Sequence, residues 1–145
     1  MARMLPPICT TTSPGEKLIF DELKTNPQAR DWIVLHSLDI ANHPHKRLSE
    51  ADFVIIMPGR GVLVLEVKAH TFIERKEGEW LFSSDRKRGQ SPFVQAKDAM
   101  FAIQEHLEHA VPASRGMVMW FAVSFPRVEF SGPVGDEWHP WQLID

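Results

Sequence analysis

The sequence predicts an α/β domain in which a mixed central β-sheet is flanked by α-helices. Three observations carry this expectation. Residues 52–68 hold two apolar runs, rich in Val, Ile and Leu, folded back on each other around Pro58-Gly59-Arg60-Gly61. Few polar positions interrupt these runs, so each reads as a strand buried on both faces. Residues 117–125, Met-Val-Met-Trp-Phe-Ala-Val-Ser-Phe, repeat the pattern and are expected inside the sheet beside the second run. Finally, Ser13-Pro14 and Ser91-Pro92 each place a capping hydroxyl before a proline at the first helical position, which marks two helix starts.

In chain order, residues 1–12 carry Pro6-Pro7 and three threonines and read as a flexible arm. The main domain is expected over residues 13–126. Its first helix begins after Ser13 and ends near Thr25, where Asn26-Pro27 breaks it. Glu16 stands three residues after Ser13, the spacing of a capping box. It also shares a helical stripe with Ile19, Phe20 and Leu23, the face that looks inward. Both roles are open to it.

Residues 32–38 read as a strand, followed by a polar loop over 41–49. The loop's His43 and His45 lack a nearby third ligand of zinc type and read as solvated, as do Lys46 and Arg47. Residues 71–75 and 79–82 read as two short strands around Glu77-Gly78 at a sheet edge. Residues 83–90 form a basic loop in which Arg86, Lys87 and Arg88 are candidates for contact with a phosphate backbone. The second helix follows, with Phe93, Ala96, Met100, Ile103 and Leu107 as its apolar stripe and Gln95 one position off it. His106 and His109 suit the negative end of its dipole. Val111-Pro112 ends it. In the tail, residues 127–145, Trp138, Trp141 and Leu143 suggest either docking onto the body or the start of a further segment.

Charged residues at the ends of core strands are costly unless they pair or hold a metal. Asp52 opens the first central run, and Glu66 and Lys68 close the second. Two residues apart on one strand, Glu66 and Lys68 share a face. A hairpin register that sets Asp52 against Lys68, positions summing to 120, makes Asp52 and Glu66 diagonal neighbours on that face. A two-residue turn would send Asp52 to the opposite face. Hence an odd loop or a bulge is expected, with Gly61 suited to the left-handed position. Two such carboxylates offer hard oxygen ligands for Mg²⁺ or Mn²⁺. The neighbouring lysine can orient a water and offset charge in a phosphoryl transition state. One Glu66–Lys68 pair alone would be an ordinary strand-end neutralisation; Asp52 makes it a candidate site.

At these residues the sequence resembles the PD-(D/E)XK nuclease superfamily, with Asp52 as the lone Asp and Glu66-Val67-Lys68 as the E-x-K element. More narrowly, it is similar to the nuclease-related domain, NERD, through Glu16 on the first helix, Asp52, residues 61–68, and Pro92-Phe93-Val94-Gln95. The resemblance spans roughly residues 15–126. It implies a restriction-endonuclease-like core and a Mg²⁺- or Mn²⁺-dependent nuclease, acting on DNA in preference to RNA. It implies Asp52, Glu66, the Val67 carbonyl and Glu16 as metal ligands, Lys68 positioning the attacking water, and Gln95 bordering the site. It also implies a helicase or kinase region elsewhere in a longer chain. The chain departs from the family in one place: Ala69-His70 follows the E-V-K where a glycine is usual, which bears on substrate access.

Length and composition bound these readings. At 145 residues and 43% hydrophobic content the chain can bury one substantial core. A net charge of −3 gives no overall attraction to nucleic acid, so any contact with it is local. Cys9 is the only cysteine, which excludes a disulfide framework and fits a reducing cytoplasm. No apolar run reaches membrane-span length and no signal-peptide pattern opens the chain. Phosphate-cradling and dinucleotide-binding glycine loops are missing, as is a nucleophile elbow. Two alternatives to an enzyme remain: a silent nuclease fold that binds nucleic acid or a partner domain, and an interaction module using the tryptophan-rich tail.

Overall fold

A computed structural model describes residues 1–40, 49–82, 87–130, 132 and 137–145, with the side chains of residues 37–40, 49, 50 and 87 left aside. Strands β1 (Arg3–Leu5), β2 (Ile33–Ile40), β3 (Ser49–Met57), β4 (Gly61–Val67), β8 (Met119–Ser124) and β9 (Leu143–Ile144) form one sheet in the order β1-β2-β3-β4-β8-β9. Strands β2, β3 and β4 are antiparallel neighbours, whereas β1, β8 and β9 pair in parallel. The sheet is therefore mixed, as expected, and β8 lies inside it against β4.

Helix α1 (Pro14–Thr25) and helix α2 (Pro92–Ala110) begin where their caps predict. Ser13 Oγ accepts from the Glu16 N–H and Ser91 Oγ from the Val94 N–H. They cover opposite faces of the sheet. Phe20, with Ile19 and Leu23, packs on Phe53, Ile55, Leu65 and Val67. Ala99, Met100, Ala102 and Ile103 pack on Val54, Val62 and Val64. From Phe53 to Met57 on β3, and along β4, alternation thus assigns even-numbered residues to the α2 face and odd-numbered ones to the α1 face, while Ala51, at the start of β3, joins the α2-side core.

Three local expectations are corrected. Arg3–Leu5, assigned to a flexible arm, is an edge strand, because Ala2 and Met4 bury their side chains in the α1-side core. The short strands β5 (Ile73–Lys76) and β6 (Glu79–Phe82) do not edge the main sheet. They build a second sheet with β7 (Lys87–Gly89), part of the stretch read as a basic loop. Glu77 and Gly78, both at positive φ, make the turn that closes β5 onto β6. The reason for a separate sheet is its own aromatic core: Trp80 and Phe82 bury against Phe93, Phe125 and Trp138.

The central hairpin has an odd loop, but not in the expected register. Met57 pairs with Gly61 and Phe53 with Leu65, positions summing to 118 rather than 120. The three-residue loop Pro58-Gly59-Arg60 closes by the Arg60 N–H donating to the Met57 carbonyl at 3.0 Å, with proline second and Gly59 third at φ 75°. That is a type II turn. The left-handed residue is therefore Gly59, not Gly61. Gly61, at φ 141°, meets a different demand: a Cβ there would collide with the Val118 carbonyl oxygen, which accepts from the Val62 N–H at 3.0 Å. Gly59 has open space around it. Gly59→Ala should therefore cost about 1 kcal/mol, and Gly61→Ala on the order of 2–3 kcal/mol. Urea unfolding midpoints of the two variants rank these losses, and equal midpoints would contradict the close approach at Gly61.

Candidate active site

The register that displaces Asp52 from Lys68 improves its relation to Glu66. The ladder's last pair is Phe53 with Leu65, and just beyond it Asp52 lies beside Glu66, whose carboxyl feels its charge and its hydrogen bond. The Val67 N–H donates to Asp52 Oδ2 at 2.8 Å, which fixes that carboxylate at the end of the hairpin. On the other side of β4, Glu66 and Val67 pair in parallel with Val123 and Ser124, and the Lys68 N–H donates to the Ser124 carbonyl at 2.9 Å. Lys68 Nζ lies 3.1 Å from Glu66 Oε1.

Glu66 is 8% exposed. Its carboxyl is pushed up to about 7, first by burial and then by the charge of Asp52, against the pull of Lys68. A buried carboxyl with a second carboxylate beside it is an arrangement that a divalent cation would relieve. Among the described residues no group of three or more His, Cys, Asp or Glu side chains converges as a metal cage. The donor set is thus a carboxylate pair, which suits Mg²⁺ or Mn²⁺, ions that keep several waters and need only one or two protein carboxylates.

The other candidate residues are dispersed. Glu16 does not close the capping box, because the Ser13 N–H donates to Thr11 Oγ1 instead. Its carboxylate turns inward, as the stripe predicts, and Oε2 lies 3.2 Å from His36 Nε2. His36 pairs with Phe53, stacks on that ring at 4.8 Å and meets the Phe20 edge at 5.6 Å. Glu16 and His36 therefore lie on the α1 face, across the sheet from Asp52 and Glu66. Gln95 sits in the first turns of α2. Its amide Nε2 donates to Gln90 Oε1 at 3.4 Å, and its buried Oε1 has no hydrogen-bond partner among the described residues. Arg88 is exposed on β7 and lies 3.2 Å from Glu79. The Lys87 backbone pairs with Phe82, its side chain being outside the description, and Arg86, His43, His45, Lys46 and Arg47 fall outside the described residues.

Two residues that sequence reasoning passed over also shape this end of the molecule. His36 left a signal, an imidazole inside a strand apolar on both sides. Glu137 left none: its carboxylate accepts from Arg75 at 3.3 Å, Trp80 Nε1 at 3.2 Å and the Ser91 hydroxyl, tying the tail to the second sheet and to the start of α2. Ala69, in place of the usual glycine, packs its methyl where a side chain on Gly15 would stand. The missing methyl at position 15 accommodates the extra one at position 69.

A family model described as the nuclease-related domain, NERD, matches residues 11–123. No curated protein and no solved structure matches the chain. Among the described residues, no helix is long and apolar enough to cross a membrane.

Proposed function

Because the chain belongs to the nuclease-related domain family, we propose that it hydrolyses phosphodiester bonds with a divalent cation held by Asp52 and Glu66, and that its substrate is DNA. The observation that carries this is the closeness of those two carboxylates at one end of the hairpin, with Lys68 3.1 Å from Glu66. The Val67 carbonyl is the further oxygen donor in this reading. When bound, the cation polarises the scissile phosphate and acidifies a water.

Lys68 carries the rest of the chemistry. Its ammonium, 3.1 Å from Glu66, can donate to the attacking oxygen and to the phosphate as negative charge builds in the transition state. Gln95, with a buried oxygen free to accept, orients water or substrate from the start of α2. Lys87, Arg88 and Arg86 supply the local positive charge that an overall charge of −3 does not. Glu16, which the family pattern implies as a further ligand, rests against His36 on the opposite face and has no part in this arrangement. A helicase or similar region elsewhere in a longer chain would deliver the strand.

Titration calorimetry of Mn²⁺ and Mg²⁺ into wild type and Asp52→Ala, followed by incubation with supercoiled plasmid and labelled single strands, tests the reading. Metal binding is expected to disappear with Asp52. Cleavage is expected to fall by about a thousandfold in Asp52→Ala and in Lys68→Ala. Cleavage that survives both substitutions would remove the assignment. A folded protein that neither binds metal nor cleaves would favour the silent module, a reading to which the acidic net charge lends its weight.

A further inference from the structure

We propose that His70 is a stacking platform for an unpaired nucleobase of the substrate strand, an inference that rests on the nuclease reading above. A row of rings runs from the interior to the surface beside the candidate site. It starts at Trp80, 2% exposed, whose plane lies within 10° of Phe82 at 6.2 Å. Phe82 is held from the side by β7, where a Cβ on Gly89 would come within 2.6 Å of its ring. The His70 imidazole follows at 5.1 Å and 34° to Phe82. There the row ends at an exposed ring that makes no hydrogen bond or ion pair among the described residues.

A ring braced from behind and open in front is a low-entropy surface on which a base can stack whatever its identity. Partial burial, and then the charge of Lys68, hold this imidazole below its ordinary range. At physiological pH it therefore presents a neutral π face and not a charge for the backbone. Lys68 lies only two residues away, no more than about 7 Å along the chain. A base next to the phosphate at Lys68 can reach the ring once it has left a duplex stack, which pays the unstacking cost only in paired DNA. The site then favours single strands and frayed ends over intact duplex.

The test uses labelled single-stranded oligonucleotides in Mn²⁺, each with one abasic position moved stepwise along the strand, cut by wild type, His70→Ala and His70→Phe. Wild type is expected to cut the phosphate beside the missing base about 5- to 150-fold more slowly, the range for one stacked base. His70→Phe should keep that penalty. His70→Ala should cut the intact strand more slowly by the same factor and become indifferent to the missing base, with an unchanged thermal melt. If wild type cuts but shows no abasic penalty, or if His70→Ala retains it, the platform is refuted and the nuclease reading stands. Should wild type cut supercoiled plasmid but no single strand, the platform is refuted and the nuclease reading stands; cutting neither refutes both.

Discussion

Replacing Trp80 by alanine should lower stability by about 3–5 kcal/mol, the largest single loss expected in this chain. The indole is 2% exposed and sits among five other aromatic rings, those of Phe82, Phe93, Phe125, Phe130 and Trp138, all within 6.2 Å of it. Truncation removes apolar surface from a region that cannot collapse, since α2 and β8 hold its walls. It also takes one of three donors from Glu137, leaving a half-buried carboxylate less well satisfied. Against a total stability of about 5–15 kcal/mol for a domain of ordinary size, the variant should melt roughly 10–15 °C lower. Circular dichroism of Trp80→Ala beside Trp141→Ala, where the indole is 58% exposed, provides the comparison. A Trp80→Ala melt within 3 °C of wild type would show that the second sheet contributes little to the cooperative unit.

Glu66→Gln should make the protein more stable at neutral and alkaline pH while removing its metal site. A carboxyl pushed up from 4.5 to about 7 in the folded state binds a proton there more tightly than in the unfolded chain. Its effect on stability is therefore most favourable below pH 4.5 and is lost as pH rises through 7, by about 3 kcal/mol in all. Glutamine keeps the shape without the charge, so the melting gap between variant and wild type should widen from pH 5 to pH 8 in the variant's favour. Adding Mn²⁺ at pH 8 should raise the wild-type melt and leave Glu66→Gln unmoved, because only the ionised pair gains from a cation. A gap that stays constant across pH would mean that burial and Asp52 do not perturb Glu66. Stability surrendered at a polar site in this way is the usual mark of function.

Much of this arrangement was legible in the sequence, for identifiable reasons. Both helix starts were readable because serine and proline act within one turn, and the central strands because burial on both faces leaves uninterrupted apolar runs. Asp52 and Glu66 were paired on one face from parity alone. The register was not, since sums of 118 and 120 satisfy the same alternation and only the type II turn at Gly59 decides between them. Strand β7 escaped notice because Lys87-Arg88-Gly89 has no apolar residue; Phe82 needs the bare backbone of Gly89, a demand made by tertiary packing. The Glu16–His36 contact joins residues 20 apart on different elements, which no local pattern encodes. Glu137 lies beside residues of three separate elements for the same reason.

The tail bears on how such a domain can be inherited. Residues 137–145 lie beyond the stretch that the family model matches, yet Trp138 is buried against Phe93 at 4.6 Å and β9 hydrogen-bonds along the outer edge of β8. The matched stretch and the packed core therefore do not coincide. A gene fusion that joined a new partner directly after β8 would import the chemistry but strand Phe93 and Trp80 without their cover, and would leave β8 as an open template for intermolecular pairing. Shuffling of this domain among longer chains is viable only when some segment, this one or a replacement, supplies an aromatic plug and a last strand.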